Sequence, residues 1–201
     1  MARPKEGIGP SAQQRIEEAY WALLESMPHE KITIGQLCTK AHINHNTFYY
    51  HYQSIDDLAN QILERLVVSP SHISLISHLF RTDELPSLFE LFSQAHILSR
   101  LEKIRIVVGP HGTHWMKKKC EEAVLTIWFN LFEIDQTKLS QETHALLTFH
   151  LGGIFALLSS EVSPEELFAF LRSEKAREYA QILLSILGSC PRKSEHAHKE
   201  K

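Results

Sequence analysis

Apolar residues recur along this chain with helical spacing, whereas the alternation typical of strands is nearly absent. The first stretch has apolar side chains at intervals of three and four residues: Ile16, Ala19, Tyr20, Leu23, Leu24 and Met27. This spacing gathers them on one face of a helix. Ser11 and Gln14 have capping-box spacing at its start, and Pro28 follows its end. The pattern predicts an amphipathic helix, and its repetition predicts an all-α protein.

Three more helices are predicted directly after the first, and the second and third of the chain are short. Thr33 and Gln36 form a second capping box, opening a helix that stops at His42. Asn44 is a candidate cap for a helix over 45–52, and a further box at Ser54 opens the next helix. The turn between the second and third helices is about three residues long, which is typical of a helix-turn-helix. The second helix of such a motif enters the major groove of DNA.

The rest of the chain is predicted to be helical and is followed by a polar tail. The expected helical segments are 71–81, 87–107, 113–133, 141–161 and 164–187. The predicted divisions are an N-terminal helix-turn-helix domain (1–53), a C-terminal helical dimerisation and ligand-sensing domain (54–190) and a disordered tail (191–201).

The third helix combines an apolar face with a polar one. Phe48 and Tyr52 lie four residues apart and, with Ile43, are expected to pack on the first two helices. The remaining side chains project elsewhere and carry hydrogen-bonding or aromatic groups: His45, Asn46, Thr47, Tyr49, Tyr50 and His51. Such a surface favours contact with another molecule.

Residues 32–58, ITIGQLCTKAHINHNTFYYHYQSIDDL, resemble the signature of the TetR-type transcriptional repressors. The matching positions are Ile32, Thr33, Leu37, Ala41, Ile43, Thr47, Phe48, Tyr49, Tyr52, Ser54 and Leu58. The resemblance is specific for about residues 10–66 and weak beyond. It implies a homodimer that binds a palindromic operator in double-stranded DNA and responds to a small-molecule inducer.

The resemblance also implies roles for single residues. Thr33 and Tyr49 are expected to bind phosphates, and Thr47 and His51 to contact the DNA backbone or groove wall. His45, Asn46 and Tyr50 are expected to face base edges. The chemistry agrees, since Asn pairs with adenine and an aromatic ring can meet a thymine methyl.

Two positions depart from the family pattern. His42 stands where the family usually has Gly, in a turn expected to need a positive φ. Ile55 stands where the family usually has Lys, so a phosphate contact is expected to be missing there.

Charge weakens the DNA-binding interpretation without excluding it. The chain has a formal net charge of −3, and residues 1–60 contain seven carboxylates but five Lys and Arg. Residues 31–55, however, contain Lys31, Lys40 and three histidines and no carboxylate. One face can therefore be positive while the other is acidic. The alternative is a helix-turn-helix protein-interaction module with weak or no DNA binding.

The C-terminal segments suggest a dimer interface and a pocket. Glycines within a helix permit close approach of a partner helix, although they are also compatible with a loosely packed core helix. The predicted interface residues are Gly152, Gly153, Phe155, Ile182 and Ile186. The predicted ligand-pocket residues are Trp115, Trp128, Phe132 and His150.

Other classes of function find no support in the sequence. There is no Gly-rich phosphate loop, nucleophile elbow or H-E-x-x-H pattern, so neither an enzyme nor a cofactor is predicted. His111 and His114 lack a third ligand at suitable spacing, so no metal is predicted. Three distant cysteines, with no signal peptide or membrane stretch, lead us to expect a cytoplasmic protein.

Overall fold

The computed structural model describes residues 9–67, 95–160, 162–171 and 173–193, and their regular structure is helical. The α-helices are α1 (Ala12–Leu24), α2 (Ile34–Ala41), α3 (His45–His51), α4 (Ile55–Val67), α5 (Ala95–Val108), α6 (His114–Leu131), α7 (Gln141–Ser159), α8 (Pro164–Leu171) and α9 (Glu174–Ser189). Short 3₁₀ turns cover His29–Lys31 and Gln136–Lys138. The all-α prediction is confirmed. The helix expected over 71–81 and the first part of that over 87–107 lie outside the described residues.

Of the three capping boxes predicted from sequence, the first two are fully formed, whereas at the third Ser54 Oγ accepts from the N–H of Asp57 but the Asp57 carboxylate accepts from Gln53. Ser11 Oγ accepts from the backbone N–H of Gln14 at 3.2 Å, and Gln14 Oε1 accepts from the N–H of Ser11 at 2.7 Å. Thr33 and Gln36 make the same reciprocal pair at 3.2 and 2.8 Å. Each box satisfies two N–H groups at the start of its helix, and this fixes where α1 and α2 begin.

The single helix predicted over 164–187 is wrong, because the structure divides it into α8 and α9. Ser173 lies between them, and its hydroxyl accepts from the N–H of Ala176 at 3.1 Å. Its own N–H donates to the carbonyl of Phe170 at 2.8 Å. A serine that caps a new helix in this way competes with continuation of the preceding one.

The first residues of the expected disordered tail are paired with the loop after α6. The N–H of Asp135 donates to the carbonyl of Pro191 at 2.8 Å, and the N–H of Lys193 donates to Glu133 at 2.7 Å. The Arg192 guanidinium also lies over the Phe132 ring, 5.8 Å from its centre. Residues 191–193 thus differ from the expectation, and the rest of the tail lies outside the described residues.

Buried apolar residues form one connected core that extends from Ile16 on α1 to Cys190 after α9. Helices α1, α2 and α3 pack together, α4 packs on α6, and α5 packs on α7. The N-terminal helices are therefore joined to the C-terminal ones through shared core, and the boundary at residue 53 stays a prediction. No helix in the described ranges is long and apolar enough to span a bilayer.

Replacing Phe48 by Ala should lower the free energy of unfolding by about 3–5 kcal/mol, because this side chain is fully buried at 0% exposure. Urea denaturation followed by circular dichroism measures the loss. An unchanged unfolding midpoint would contradict the packing of α3 described above.

Candidate nucleic-acid interface

The turn between α2 and α3 depends on a residue in the left-handed region. His42 follows α2 with φ 52° and ψ 52°. Its N–H donates to the carbonyl of Thr39, and the N–H of Ile43 reaches back to Cys38 at 3.0 Å. This is the arrangement that usually ends a helix at glycine, and His is among the residues that tolerate it. The positive φ expected from the sequence at His42 is confirmed.

Arg15 fixes the same turn from the side of α1. Its Nε donates to the carbonyl of Ala41 at 3.1 Å, and its NH1 group donates to the carbonyl of Pro10 at the same distance. The last carbonyl of α2 would otherwise lack a partner within its helix. Sequence reasoning counted Arg15 only as a surface charge, since its partner lies 26 residues away.

Helix α3 separates its aromatic residues between two environments. Phe48 and Tyr52 are buried, with 0% and 1% exposure, whereas Tyr49 and Tyr50 are 57% and 85% exposed. His45 and Asn46 are exposed at the start of the helix. The split expected from the four-residue spacing is therefore present, and two tyrosine rings reach solvent. Exposed rings on a seven-residue helix offer apolar contact area that the fold itself does not use.

Tyr52 is tied to α1 by a carboxylate that also pairs with α4. Its hydroxyl donates to Glu17 Oε1 at 2.8 Å, and Arg65 reaches the same oxygen at 2.6 Å. Burial first, and then the hydrogen bond to Glu17, raises the pKa of Tyr52 to about 12. The hydroxyl therefore stays protonated at neutral pH and holds the end of α3 against α1.

Two threonines expected to meet DNA use their hydroxyls within helix caps. Thr33 Oγ1 donates to Gln36 Oε1 at 2.9 Å, and Thr47 Oγ1 donates to Asn44 Oδ1 at 3.0 Å. Asn44 Oδ1 also accepts from the N–H of Thr47 at 2.8 Å, as its predicted capping role requires. Thr33 and Thr47 thus help to fix where α2 and α3 begin. A phosphate bound by either hydroxyl would have to share that hydroxyl with the helix cap.

The acidic residues of the N-terminal helices are partly occupied inside the fold. Glu17 is paired with Arg65, Asp56 with His29, and Asp57 accepts from the N–H of Gln53. The hydrogen bond from Gln53, followed by that from Gln61, lowers the pKa of Asp57. On α3 and the turn before it, by contrast, the exposed ionisable side chains include His42 and His45. Of these contacts, only the Glu17–Arg65 ion pair sets a permanent positive charge against a carboxylate.

The four residues predicted to line one pocket do not lie together. Trp115 and Trp128 are at opposite ends of α6, about 20 Å apart along its axis. Trp115 instead packs edge-on against His29, with ring centres 5.9 Å apart. His150 is buried on α7, and its Nδ1 lies 2.6 Å from the hydroxyl of Tyr179 on α9. A ligand pocket lined by some of these four residues stays a prediction.

An apolar surface runs along α7 and α9. Gly152 and Gly153 are exposed on α7, as are Leu146 and Phe149, which is 73% exposed. On α9, Tyr179 and Ile182 are 39% and 54% exposed, and Ile186 is half-buried. Phe155, predicted to belong to the interface, is only 8% exposed and packs in the core of the protomer. The helical period explains this, because Phe155 continues the buried row of Leu147 and Leu151 at four-residue spacing.

His29 is a buried polar residue that sequence reasoning missed. Its Nε2 donates to Asp56 Oδ1 at 2.7 Å, and its Nδ1 lies 2.9 Å from the hydroxyl of Tyr20. Burial first, and then the nearby Asp56 carboxylate, raises the pKa of Tyr20, so its hydroxyl is a donor at neutral pH. His29 thus donates through Nε2 to the Asp56 carboxylate and shares a second hydrogen bond, through Nδ1, with the Tyr20 hydroxyl. The pattern of the chain carries little signal for this, since the partners lie 9 and 27 residues away.

His111, weighed above as a metal ligand, has a structural partner. Its Nδ1 donates to the carbonyl of Leu24 at 2.8 Å. Within the described ranges there is no group of three His, Cys, Asp or Glu side chains arranged to hold a metal ion.

Comparison with known proteins gives a distant likeness in structure. No family model matches the chain, and no curated protein matches it. A crystal structure of a TetR family repressor, AlkX from Dietzia sp., is 12% identical. The likeness covers 92% of this chain and 99% of that one, with a TM-score of 0.45. At this identity and TM-score it carries no argument about function.

Replacing His42 by Gly should raise the free energy of unfolding by about 1 kcal/mol, since glycine removes the side-chain penalty of the left-handed conformation. His42→Val should lower it, because a β-branched residue is strained there. Chemical denaturation of the three proteins tests the order. A glycine variant less stable than wild type would contradict this account of the turn.

Proposed function

We propose that this protein is a DNA-binding transcriptional regulator whose helix α3 reads operator bases in the major groove. One observation carries the proposal. A short capped helix follows a tight turn, buries Phe48 and Tyr52, and exposes His45, Asn46, Tyr49 and Tyr50. This is the arrangement that a recognition helix requires, with its N-terminal residues at the base edges.

The exposed groups match base-edge chemistry. The Asn46 amide can both donate to and accept from adenine, and the Tyr50 ring can pack on a thymine methyl. His45 and His51 would supply further donors, while Tyr49 and Thr33 at the N-terminus of α2 would contact phosphates and set the register. Thr47 would then act at the groove wall through its methyl group, because its hydroxyl is held by Asn44.

We further propose that the protein acts as a homodimer through the apolar surface of α7 and α9. An exposed stripe with two adjacent glycines suits the close approach of an identical helix across a two-fold axis. Two recognition helices related by such an axis bind a palindromic operator. The exposed residues Phe149, Gly152 and Ile182 would then be covered by the partner.

This arrangement suits a cytoplasmic repressor that responds to a ligand. A small-molecule inducer that binds the C-terminal helices in one conformation shifts the protein away from the DNA-binding one. The function proposed is binding and not catalysis.

The first experiment selects binding sites from random duplex DNA with the full-length protein. We expect enrichment of a palindrome, and an affinity that falls steeply as salt rises, because phosphate contacts release counterions. Absence of an enriched site, with weak or salt-independent binding, would overturn the proposal and favour the protein-interaction alternative.

Replacing Asn46 or Tyr50 by Ala should weaken binding to the selected operator by roughly 5- to 150-fold, corresponding to about 1–3 kcal/mol per base contact. The unfolding midpoint should not change, since both side chains are exposed. Thr126→Ala on α6 serves as the matched surface control. Operator affinity equal to that of the control in both variants would remove α3 from the interface.

Replacing Gly152 by Leu should weaken the dimer while the protomer stays folded. A Cβ at this position meets open space within its own protomer, so we expect the clash to come from a partner. Leu also favours the helix by about 1 kcal/mol relative to Gly. Sedimentation equilibrium across protein concentration measures the change, with Thr126→Leu as control. A wild-type monomer at micromolar concentration, or a variant dimer of unchanged affinity, would contradict the proposed seam.

A further inference from the structure

The loop between α5 and α6 clamps the connection between α1 and α2 at two backbone positions. His111 Nδ1 donates to the carbonyl of Leu24 at 2.8 Å, and the N–H of His29 donates to the carbonyl of His111 at 3.0 Å. One residue of the loop thus bonds to the end of α1 and to the middle of the segment between α1 and α2. These hydrogen bonds join parts of the chain that are more than eighty residues apart in sequence.

The loop itself is held in a tight shape beside this clamp. A Cβ at Gly112 would collide with the backbone carbonyl of Val107, so only glycine permits the chain to pass here. Thr113 then caps α6 by accepting from the N–H of Met116 at 3.3 Å. His111 is therefore presented from a loop with little freedom to move relative to α5 and α6.

The segment that His111 contacts is also fixed by the side-chain contacts of His29. The His29 side chain bonds to Tyr20 on α1 and Asp56 at the start of α4, and its ring packs against Trp115 on α6. A second contact joins α1 to α5 nearby. Lys103 Nζ on α5 lies 5.3 Å from the centre of the Trp21 ring on α1. The α1–α3 unit is thus connected to α5 and α6 through buried or half-buried groups.

Helix α5 carries this connection to the proposed dimer seam. It packs on α7, and Arg105 donates to the carbonyls of Leu158, Ser160 and Val162 at the end of that helix. A continuous series of packed elements therefore runs from the seam on α7, through α5 and its loop, to the helices that carry α3. In a two-fold dimer this series would set the distance between the two recognition helices.

We propose that His111 and His29 are positioning residues that set the half-site spacing of the operator without touching DNA. The proposal rests on the function proposed above. Spacing between half-sites follows from the geometry of the dimer, not from base contacts. Weakening the two hydrogen bonds of His111 should therefore make affinity less dependent on the distance between the half-sites. Each half-site would still be recognised by an unaltered α3.

The test measures affinity for duplexes in which the selected half-sites are moved apart or together one base pair at a time. For His111→Ala we expect the preference for the best spacing to fall by about fivefold, the factor that one hydrogen bond of ordinary net strength supports. Affinity for a duplex with a single half-site should be unchanged. His114→Ala, an exposed histidine three residues on, is the matched control.

A conservative variant distinguishes positioning from general stability. The amide nitrogen of Asn can occupy the place of His Nδ1 and donate to Leu24, so His111→Asn should restore the spacing preference. If His111→Ala unfolds in the assay, Tyr20→Phe loosens the His29 side of the junction by removing one hydroxyl, with the same expected result. Both are compared with wild type at matched salt, because phosphate contacts make affinity salt-dependent.

The outcomes separate this inference from the function on which it rests. If wild type enriches no palindrome, the proposed function fails. If wild type has a sharp spacing preference that His111→Ala and Tyr20→Phe leave as sharp as His114→Ala does, this inference alone is overturned. Equal losses on single and paired half-sites would also overturn it, since they would indicate damage to α3 itself.

Discussion

The buried imidazole of His29 is the constraint on which the arrangement of the N-terminal helices depends. A buried polar group is tolerated only when its hydrogen-bonding positions are filled. Here Tyr20 and Asp56 fill both ring nitrogens, so α1 and the start of α4 must sit at fixed positions around the ring. Because Trp115 packs on the same ring, α6 is fixed as well. Loss of either partner would leave a buried group unsatisfied, which makes alternative arrangements costly.

With that junction in place, the presentation of α3 follows from short-range chemistry. Asn44 caps the helix, His42 supplies the left-handed turn, and Arg15 fills the last carbonyl of α2. Phe48 then anchors the inner face. The outer face needs no further support from the fold, and its side chains are available for contact with DNA. The proposed regulator thus combines an exposed recognition surface on α3 with a packed connection to the C-terminal helices.

Local features were predictable from the sequence, and features that join distant segments were not. The capping boxes at Ser11 and Thr33, the positive φ of His42 and the burial of Phe48 each depend on residues within a few positions. Their signals are therefore present in the spacing alone. The Glu17–Arg65 pair and the two bonds of His111 join segments far apart, and no periodicity encodes them. The separation of Trp115 from Trp128, by contrast, follows from the rise of α6 alone and was predictable.

The central claim is that α3 meets DNA through its exposed face, and amide NMR of the labelled protein tests it most directly. Titration with a selected operator duplex should shift resonances of residues 45–51, together with those near Thr33 at the start of α2. Resonances of α6 residues far from the junction, such as Thr126, should change much less. Shifts confined to α7 and α9, or spread evenly over the chain, would contradict the account.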